Sequence, residues 1–215
     1  MENVSARYTA KRQVFLESRP GLRLERTSVK DPEFAHFFVS HYPGSKGVMG
    51  RRFLYKIYKD DIFIGIIGGA SAPGGYIMRK FAKFFETKDN QSILNNNIYR
   101  LIHHEKNLGT QVLKLFRKRL FEDYLEKYGE VLLGLVTFVE PPRTGSIYKA
   151  DNWSYLGKTK GMRCTRRKEQ DNKRTFTKDK PKLIFAIKYT PKFLRKENPL
   201  ISKFKIDKKT QTTLF

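Results

Sequence analysis

The tightest constraint on this chain is the order of three adjoining stretches. "NIYRLIHH" reads as a strand, "EKNLGTQVLKLFRKRLFEDYLEKYG" as a long amphipathic helix, and "VLLGLVTFV" as a strand apolar at nearly every position. In the middle stretch Val112, Leu113, Phe116, Leu120, Tyr124 and Leu125 recur at helical spacing, and Gly129 supplies a stop. A strand that is apolar throughout is covered on both faces, as strands are where helices flank a parallel pair. Strand, long helix and parallel strand make a right-handed crossover. The class is therefore α/β, and the loop "HHEKNLGT" lies between the carboxyl end of one strand and the amino end of the helix. Open sheets of this class put ligands at that point, and the free backbone N–H groups of a helix start bind anions.

The rest of the chain builds a single mixed sheet around this unit. "LRLERT" alternates as a short strand. "KDPEFAHFFVSHYP" reads as a helix, with Asp31 as cap, Pro32 at the first helical position and Phe34, Phe37 and Phe38 on one face. "RFLYKIY" and "IFIGIIGGA" form a hairpin around Lys59-Asp60-Asp61, and Gly65, Gly68 and Gly69 in the second strand indicate a bulge or a close backbone approach. "GGYIMRKFAKFFETKDNQSILNNN" reads as a helical insert ending in an Asn-rich loop. After the apolar strand come a short helix in "TGSIYKADNW", a strand in "SYLGKTKG", a polar basic loop from Met162 to Lys182 and a closing strand "LIFAIKYT". Three segments follow: a basic N-terminal arm over 1–20, an α/β domain over 21–190 and a basic C-terminal tail over 191–215.

Charge narrows the partner. The chain of 215 residues carries a formal net charge of +23, far beyond what solubility requires, while 39% hydrophobic residues mark it as a folded domain. Nucleic acid is the first partner such a surface suggests, an anionic membrane surface the second. No apolar run is long enough to span a bilayer, and the first twenty residues have no apolar core of a signal peptide, so a cytoplasmic protein is expected. The single cysteine, Cys164, excludes a disulfide framework and a cysteine zinc site.

The element order resembles the GNAT acyltransferase fold, whose strand–loop–helix unit binds the pyrophosphate of acyl-CoA. In that family a tyrosine of the later short helix protonates the leaving thiolate. Here "HEKNLG" (His104 to Gly109) occupies the loop and "YKADNW" (Tyr148 to Trp153) the later element, with Asn107 in place of the first loop glycine and Asn152-Trp153 in place of a Gly-Phe pair. A narrower resemblance covers about residues 36 to 161. "NIYRLIHHEKNLGTQVLKLFRKRL" followed by "LVTFVEPPRTGSIYKADNWSYLGKTKG" is similar to the Mom family of phage DNA-modification proteins, and "HYP" at His41 to Pro43 also recurs there. Its most specific part is an acid–Pro pair, then G-x-x-Y-x-A-x-N-W, then G-x-T. Druantia A-type defence proteins carry a weaker version of the same string. The Mom resemblance implies a GNAT-like enzyme that adds a carbamoylmethyl group to the N6 amine of adenine in double-stranded DNA, protecting it from restriction in the cytoplasm of a host bacterium. An N-acetyltransferase for a small amine or protein, and a non-enzymatic DNA-binding defence protein, are the alternatives.

Site expectations follow residue by residue. His41 is either satisfied at a helix end or aimed into the cleft as base or metal ligand. Glu140 ends the apolar strand; it caps the next helix or pairs with Arg143, or, as the resemblance implies, it engages the adenine amine. Tyr148 is a core tyrosine or the acid of the reaction. Asn107, Gly109 and Thr110 form the turn expected to hold the donor, either an acyl-CoA or an aminoacyl-tRNA. Arg51, Arg52, Arg163, Arg166 and Arg167 are expected to track phosphates. A duplex adenine must be flipped out to react, and Trp153, Tyr155 or Tyr76 could stack on it; for Trp153 packing in the core is the competing reading. His103 and His104 alternate faces on a strand, so at most one could join His41 and Glu140 around iron or another first-row metal.

Overall fold

The computed structural model describes residues 21–41, 50–166 and 174–190; for His41 and residues 163–176 it describes the backbone alone. The elements run β1 (Leu22–Thr27), α1 (Pro32–His41), β2 (Phe53–Lys59), β3 (Ile62–Ser71), α2 (Met78–Phe85), β4 (Ile93–Leu101), α3 (Leu108–Tyr128), β5 (Gly134–Val139), α4 (Ser146–Ala150), β6 (Ser154–Lys158), β7 (Met162–Arg166), β8 (Arg174–Lys178) and β9 (Leu183–Lys188). Seven strands form one sheet in the order β1-β2-β3-β4-β5-β9-β6, and β7 pairs with β8 as a separate ribbon. Every neighbouring pair in the large sheet is antiparallel except β4–β5, which the α3 crossover joins in parallel. This is the mixed α/β sheet flanked by helices that the sequence predicts.

The alternation along the strands sorts side chains between two faces. Phe53, Tyr55, Ile57, Ile67, Leu94, Leu135 and Phe185 face α3, which buries Val112, Leu113, Phe116, Leu120 and Tyr124 against them. On the other face α2 sets Phe81 and Phe85 against Ile93, Val136 and Ile184, and α1 sets Phe34 against Leu54, Ile66 and Ile98. Each large side chain so buried is worth about 1.5–3 kcal/mol. α3 ends where expected, at Gly129, whose left-handed backbone lets its N–H reach Leu125 O at 2.8 Å.

α1 is held by charge as well as by phenylalanine. Lys56, nearly buried, places Nζ 3.0 Å from Asp31, 3.2 Å from Glu33 and 3.5 Å from Glu25. Burial alone would push its ammonium pKa down; hydrogen bonds to Asp31, Tyr58 and Glu33 reverse this and hold it well above the usual lysine range. Asp31 also caps α1, its Oδ1 accepting the Phe34 N–H at 3.0 Å. That N–H, with Lys56, holds the Asp31 carboxyl below the usual range.

Two expectations change. The asparagine run is not a loop: Asn95, Asn96 and Asn97 lie inside β4, which starts earlier than "NIYRLIHH" suggests and stops at Leu101, before both histidines. The basic loop after Met162 is a β-ribbon, with Met162 opposite Lys178 and Arg166 opposite Arg174. The arm over 1–20, the tail over 191–215 and Arg167 lie outside the described residues.

Because the Asp31 pKa is lowered in the folded chain, its contribution to stability is complete above about pH 4 and is lost as pH falls through the depressed value. Urea denaturation of Asp31→Ala at neutral pH should show a loss of about 1 kcal/mol, the worth of a helix cap. Asp31→Asn keeps a capping oxygen and should lose less, and both should flatten the decline in stability below pH 4.

Candidate active site

β4 and β5 pair only at their starts, through Ile93–Gly134, Leu94–Leu135 and Asn95–Val136. Beyond that point the two strands part while each continues, to Leu101 and to Val139. The wedge between them is a cleft of about 1110 Å³. β4 contributes Asn95 to Leu101, β5 contributes Thr137 to Glu140, the α3 start contributes Asn107, Gly109 and Thr110, and α4 contributes Ser146 to Tyr148.

Parting two strands strands their backbone polar groups, and buried groups of that kind need partners. Asn96 supplies them. Across from β3 the register steps from Gly68–Ile98 to Ala70–Asn95, so two residues of β4 oppose one glycine, a β-bulge. The buried Asn96 Nδ2 donates to Gly68 O at 2.8 Å and to Ile98 O at 3.0 Å. Its backbone carbonyl, turned toward β5, accepts the Thr137 hydroxyl at 2.9 Å. Its Oδ1 accepts the Tyr148 hydroxyl at 2.9 Å. The expected bulge at Gly68 and Gly69 is thus present, and a Cβ on Gly69 would stand 3.2 Å from Asn95 O.

Tyr148 is positioned from three sides. Gly145, with φ of 70°, starts α4, and any Cβ there would lie 2.4 Å from the Phe185 ring. The Tyr148 ring stacks on Phe185 and meets Trp153 edge-on at 4.9 Å. Trp153 is buried, and its indole N–H donates to Asp151 Oδ2 at 2.9 Å. Asp151, fully enclosed, also receives Arg117 at 2.8 Å, which ties the end of α4 to α3. Trp153 therefore has no face to offer a flipped base; it is the packing behind Tyr148. The exposed aromatics are Tyr76 and Tyr155, and the Lys160 ammonium stands 5.4 Å over the Tyr76 ring.

At the helix start Asn107 takes a left-handed backbone with φ of 63°. It leads into the first turn of α3, whose early N–H groups have no intrahelical acceptor by the geometry of any α-helix. Tyr99 donates its hydroxyl to Gly109 O at 2.8 Å and pins this turn to β4; burial pushes its phenol pKa far up, so it stays a donor. The Thr110 hydroxyl donates to Asn107 O at 2.8 Å and so serves the turn. A Cβ on Gly109 would make only ordinary contacts, 3.5 Å to Tyr99 Oη and 3.6 Å to Ile147. Two buried atoms on the cleft wall, Asn95 Oδ1 and Arg100 Nε, have no hydrogen-bond partner among the described residues. A ligand in the cleft could satisfy them.

Glu140 stands exposed at the carboxyl end of β5 and on the cleft wall; Lys182, rather than Arg143, is its charge partner, at 3.5 Å. Arg143 instead donates its backbone N–H to Glu140 O. Ser40 lines the cleft from the last turn of α1, and His41 follows it as the final residue of that helix. His104 also lines the cleft, from the β4–α3 loop. No group of three or more His, Cys, Asp or Glu side chains that could hold a metal comes together among the described residues. The expected grouping of a loop histidine with Glu140 around iron is therefore not formed there.

Arg51 and Arg52 do not belong to this site. They precede β2, whose start lies beside the end of β3 and the start of β4. Arg51 pairs with Glu130 and Tyr124 and stacks 4.3 Å over Tyr128, at the far end of α3. Thr110 and Tyr124 are fourteen residues apart on that helix, or roughly 21 Å at its ordinary rise. Arg163 and Arg166 lie on the ribbon strand β7, with their side chains outside the described residues.

No helix among the described residues is long and apolar enough to cross a membrane. No family model matches the chain, and no curated protein does. Solved structures similar to it include an acetyltransferase of Bacillus subtilis with CoA, at 10% identity, with 78% of this chain and 98% of the other covered and a TM-score of 0.45. An aminoglycoside acetyltransferase with paromomycin and acetyl-CoA is 12% identical over 87% of this chain and 99% of its own, at a TM-score of 0.49. A GNAT-family acetyltransferase of Elizabethkingia anophelis with acetyl-CoA is 12% identical over 79% and 99%, at 0.44.

The site makes opposite stability predictions for its two acids. Asp151→Ala leaves Arg117 and Trp153 without their buried acceptor and should cost about 3–5 kcal/mol in urea denaturation. Glu140→Ala removes an exposed ion pair and should change stability by less than about 1 kcal/mol.

Proposed function

We propose that the protein is an acyl-group transferase whose donor binds in the β4–β5 cleft with its phosphates at the start of α3, and whose acceptor is an amine. The observation that carries this reading is the parting of β4 from β5 beyond Asn95, which brings the α3 N-terminal turn and Glu140 into one cleft. Early helix N–H groups and the helix dipole favour a phosphate at that end. The donor is an acyl thioester of coenzyme A. An aminoacyl-tRNA presents the same pairing of acyl and phosphate chemistry, and sensitivity of the reaction to ribonuclease separates the two. At about 1110 Å³ the cleft is at the upper end of the range for small-molecule sites, room for a donor and an acceptor together.

The acceptor we propose is the N6 amine of adenine in double-stranded DNA. The net charge of +23 supports a polyanionic substrate, and the G-x-x-Y-x-A-x-N-W string from Gly145 to Trp153 resembles that of the Mom proteins. The adenine is flipped into the cleft, where Glu140 accepts a proton from the amine as it attacks the acyl carbon. His41, at the end of α1, assists from the opposite rim.

DNA from cells expressing the protein, digested to nucleosides, should contain an adenosine of increased mass. Glu140→Ala should lower that product at least about 100-fold, the scale of a lost general base. Gly109→Ala should leave the fold as stable or up to about 1 kcal/mol more so, since alanine favours the helix. Its added methyl should nonetheless raise the KM for the donor about tenfold by crowding the phosphates, a loss of about 1.4 kcal/mol. Unmodified DNA beside an acylated small amine would replace adenine as the acceptor; no acylated product of either kind would defeat the transferase reading.

A further inference from the structure

The hydrogen bonds around Asn96 fix the direction of a proton. An asparagine amide can usually be turned over, exchanging its oxygen and nitrogen. Here the nitrogen faces two carbonyl oxygens, Gly68 O at 2.8 Å and Ile98 O at 3.0 Å. Turning the amide would set its oxygen against both, so the nitrogen must stay and Oδ1 must face Tyr148. A carboxamide oxygen only accepts. The hydroxyl of Tyr148, 2.9 Å away, must therefore donate its single proton to Asn96. Asn96 is 2% exposed, so no water competes for that proton from its side.

From this we propose that Tyr148 acts as a fixed hydrogen-bond acceptor for an N–H of the acceptor amine, and that Asn96 is the positioning residue that fixes it. Tyr148 does not protonate the departing group, the role the GNAT resemblance implies for it, because its proton points to Asn96. Nor does it take the amine's proton, because its own has nowhere to go. The step still balances. The amine lone pair forms the bond to the acyl carbon, and the bond from that carbon to sulfur breaks. The sulfur leaves as thiolate, a stable anion for a thiol with a pKa of about 8.5. The amine's proton passes to the Glu140 carboxylate and then to solvent. An acceptor oriented this way needs two N–H protons, one held by Tyr148 and one given up. That describes an unprotonated –NH2, such as an exocyclic base amine, and excludes an alcohol.

The role in amine binding rests on the transferase reading; the direction of the proton does not, and the test separates them. In protein labelled with 13C at tyrosine Cζ, in equal H2O and D2O, a slowly exchanging hydroxyl gives two lines and a freely exchanging one gives a single averaged line. Tyr148→Phe keeps the ring contacts with Phe185 and Trp153 and identifies the resonance by its loss. Two lines for Tyr148 are expected; one averaged line would overturn the proposal while leaving the transferase intact. In turnover, Tyr148→Phe should raise the KM for the amine about tenfold, leave kcat within about twofold and leave the pH profile unchanged. A fall in kcat with loss of the alkaline limb would make Tyr148 the acid and overturn the proposal. Absence of product from the wild-type protein would defeat the amine role together with the transferase reading.

Discussion

The four hydrogen bonds of Asn96 are the constraint on which the cleft depends. A parallel pair that separates partway leaves carbonyls and N–H groups facing a gap, and each one left dry and unpaired costs about 1–3 kcal/mol. Asn96 answers for three carbonyls: Gly68 O and Ile98 O through its amide, and its own, which Thr137 serves. It then reaches across to hold Tyr148. One side chain thereby allows β4 and β5 to part, lines the wall they open and orients the hydroxyl on its far side. Around it, Tyr99 fastens the first turn of α3 and Asp151 fastens the end of α4, so the rims of the cleft rest on buried hydrogen bonds rather than on loops.

Charge is distributed according to a different logic at the two ends of the sheet. At the far end Arg51 lies against Tyr124, Tyr128 and Glu130, an internal arrangement in which burial moves the Tyr124 phenol up to about 12. At the cleft end the basic side chains Arg100, Arg143 and Lys182 share the wall with Glu105 and Glu140. Lys59 pairs with Glu105 and Lys182 with Glu140, so acids there are placed among cations instead of being excluded. A strongly basic composition is therefore not one continuous surface; part of it is structure.

Much of this was legible in the sequence. The crossover, the parallel pair and the loop at its mouth follow from the apolar stripe of α3 and the unbroken apolarity of β5, both features that burial on two faces requires. Tyr148 and Glu140 were found because each sits at the end of an element aimed at that mouth. Asn96 was missed because asparagine disfavours strands, and three in a row read as a loop. The signal that could have revealed it was the Gly68-Gly69 pair across the sheet, which marks the bulge where such a side chain fits. Trp153 and Arg51 were misplaced for one reason: an aromatic or a guanidinium reads the same in sequence whether it faces a ligand or a neighbour. Asp151 and Tyr124, which bind them, are distant in the chain from any motif. The β7–β8 ribbon was hidden by charge, since period-two alternation is masked where both faces are polar.

The most direct test of the account is a titration of 15N-labelled protein with acetyl-CoA. The backbone amides of Leu108, Gly109, Thr110 and Gln111 should show the largest, saturable shifts, because the donor phosphates meet the start of α3. Shifts that leave those amides unmoved and gather at the far end of α3, around Tyr124 to Gly129, would contradict it.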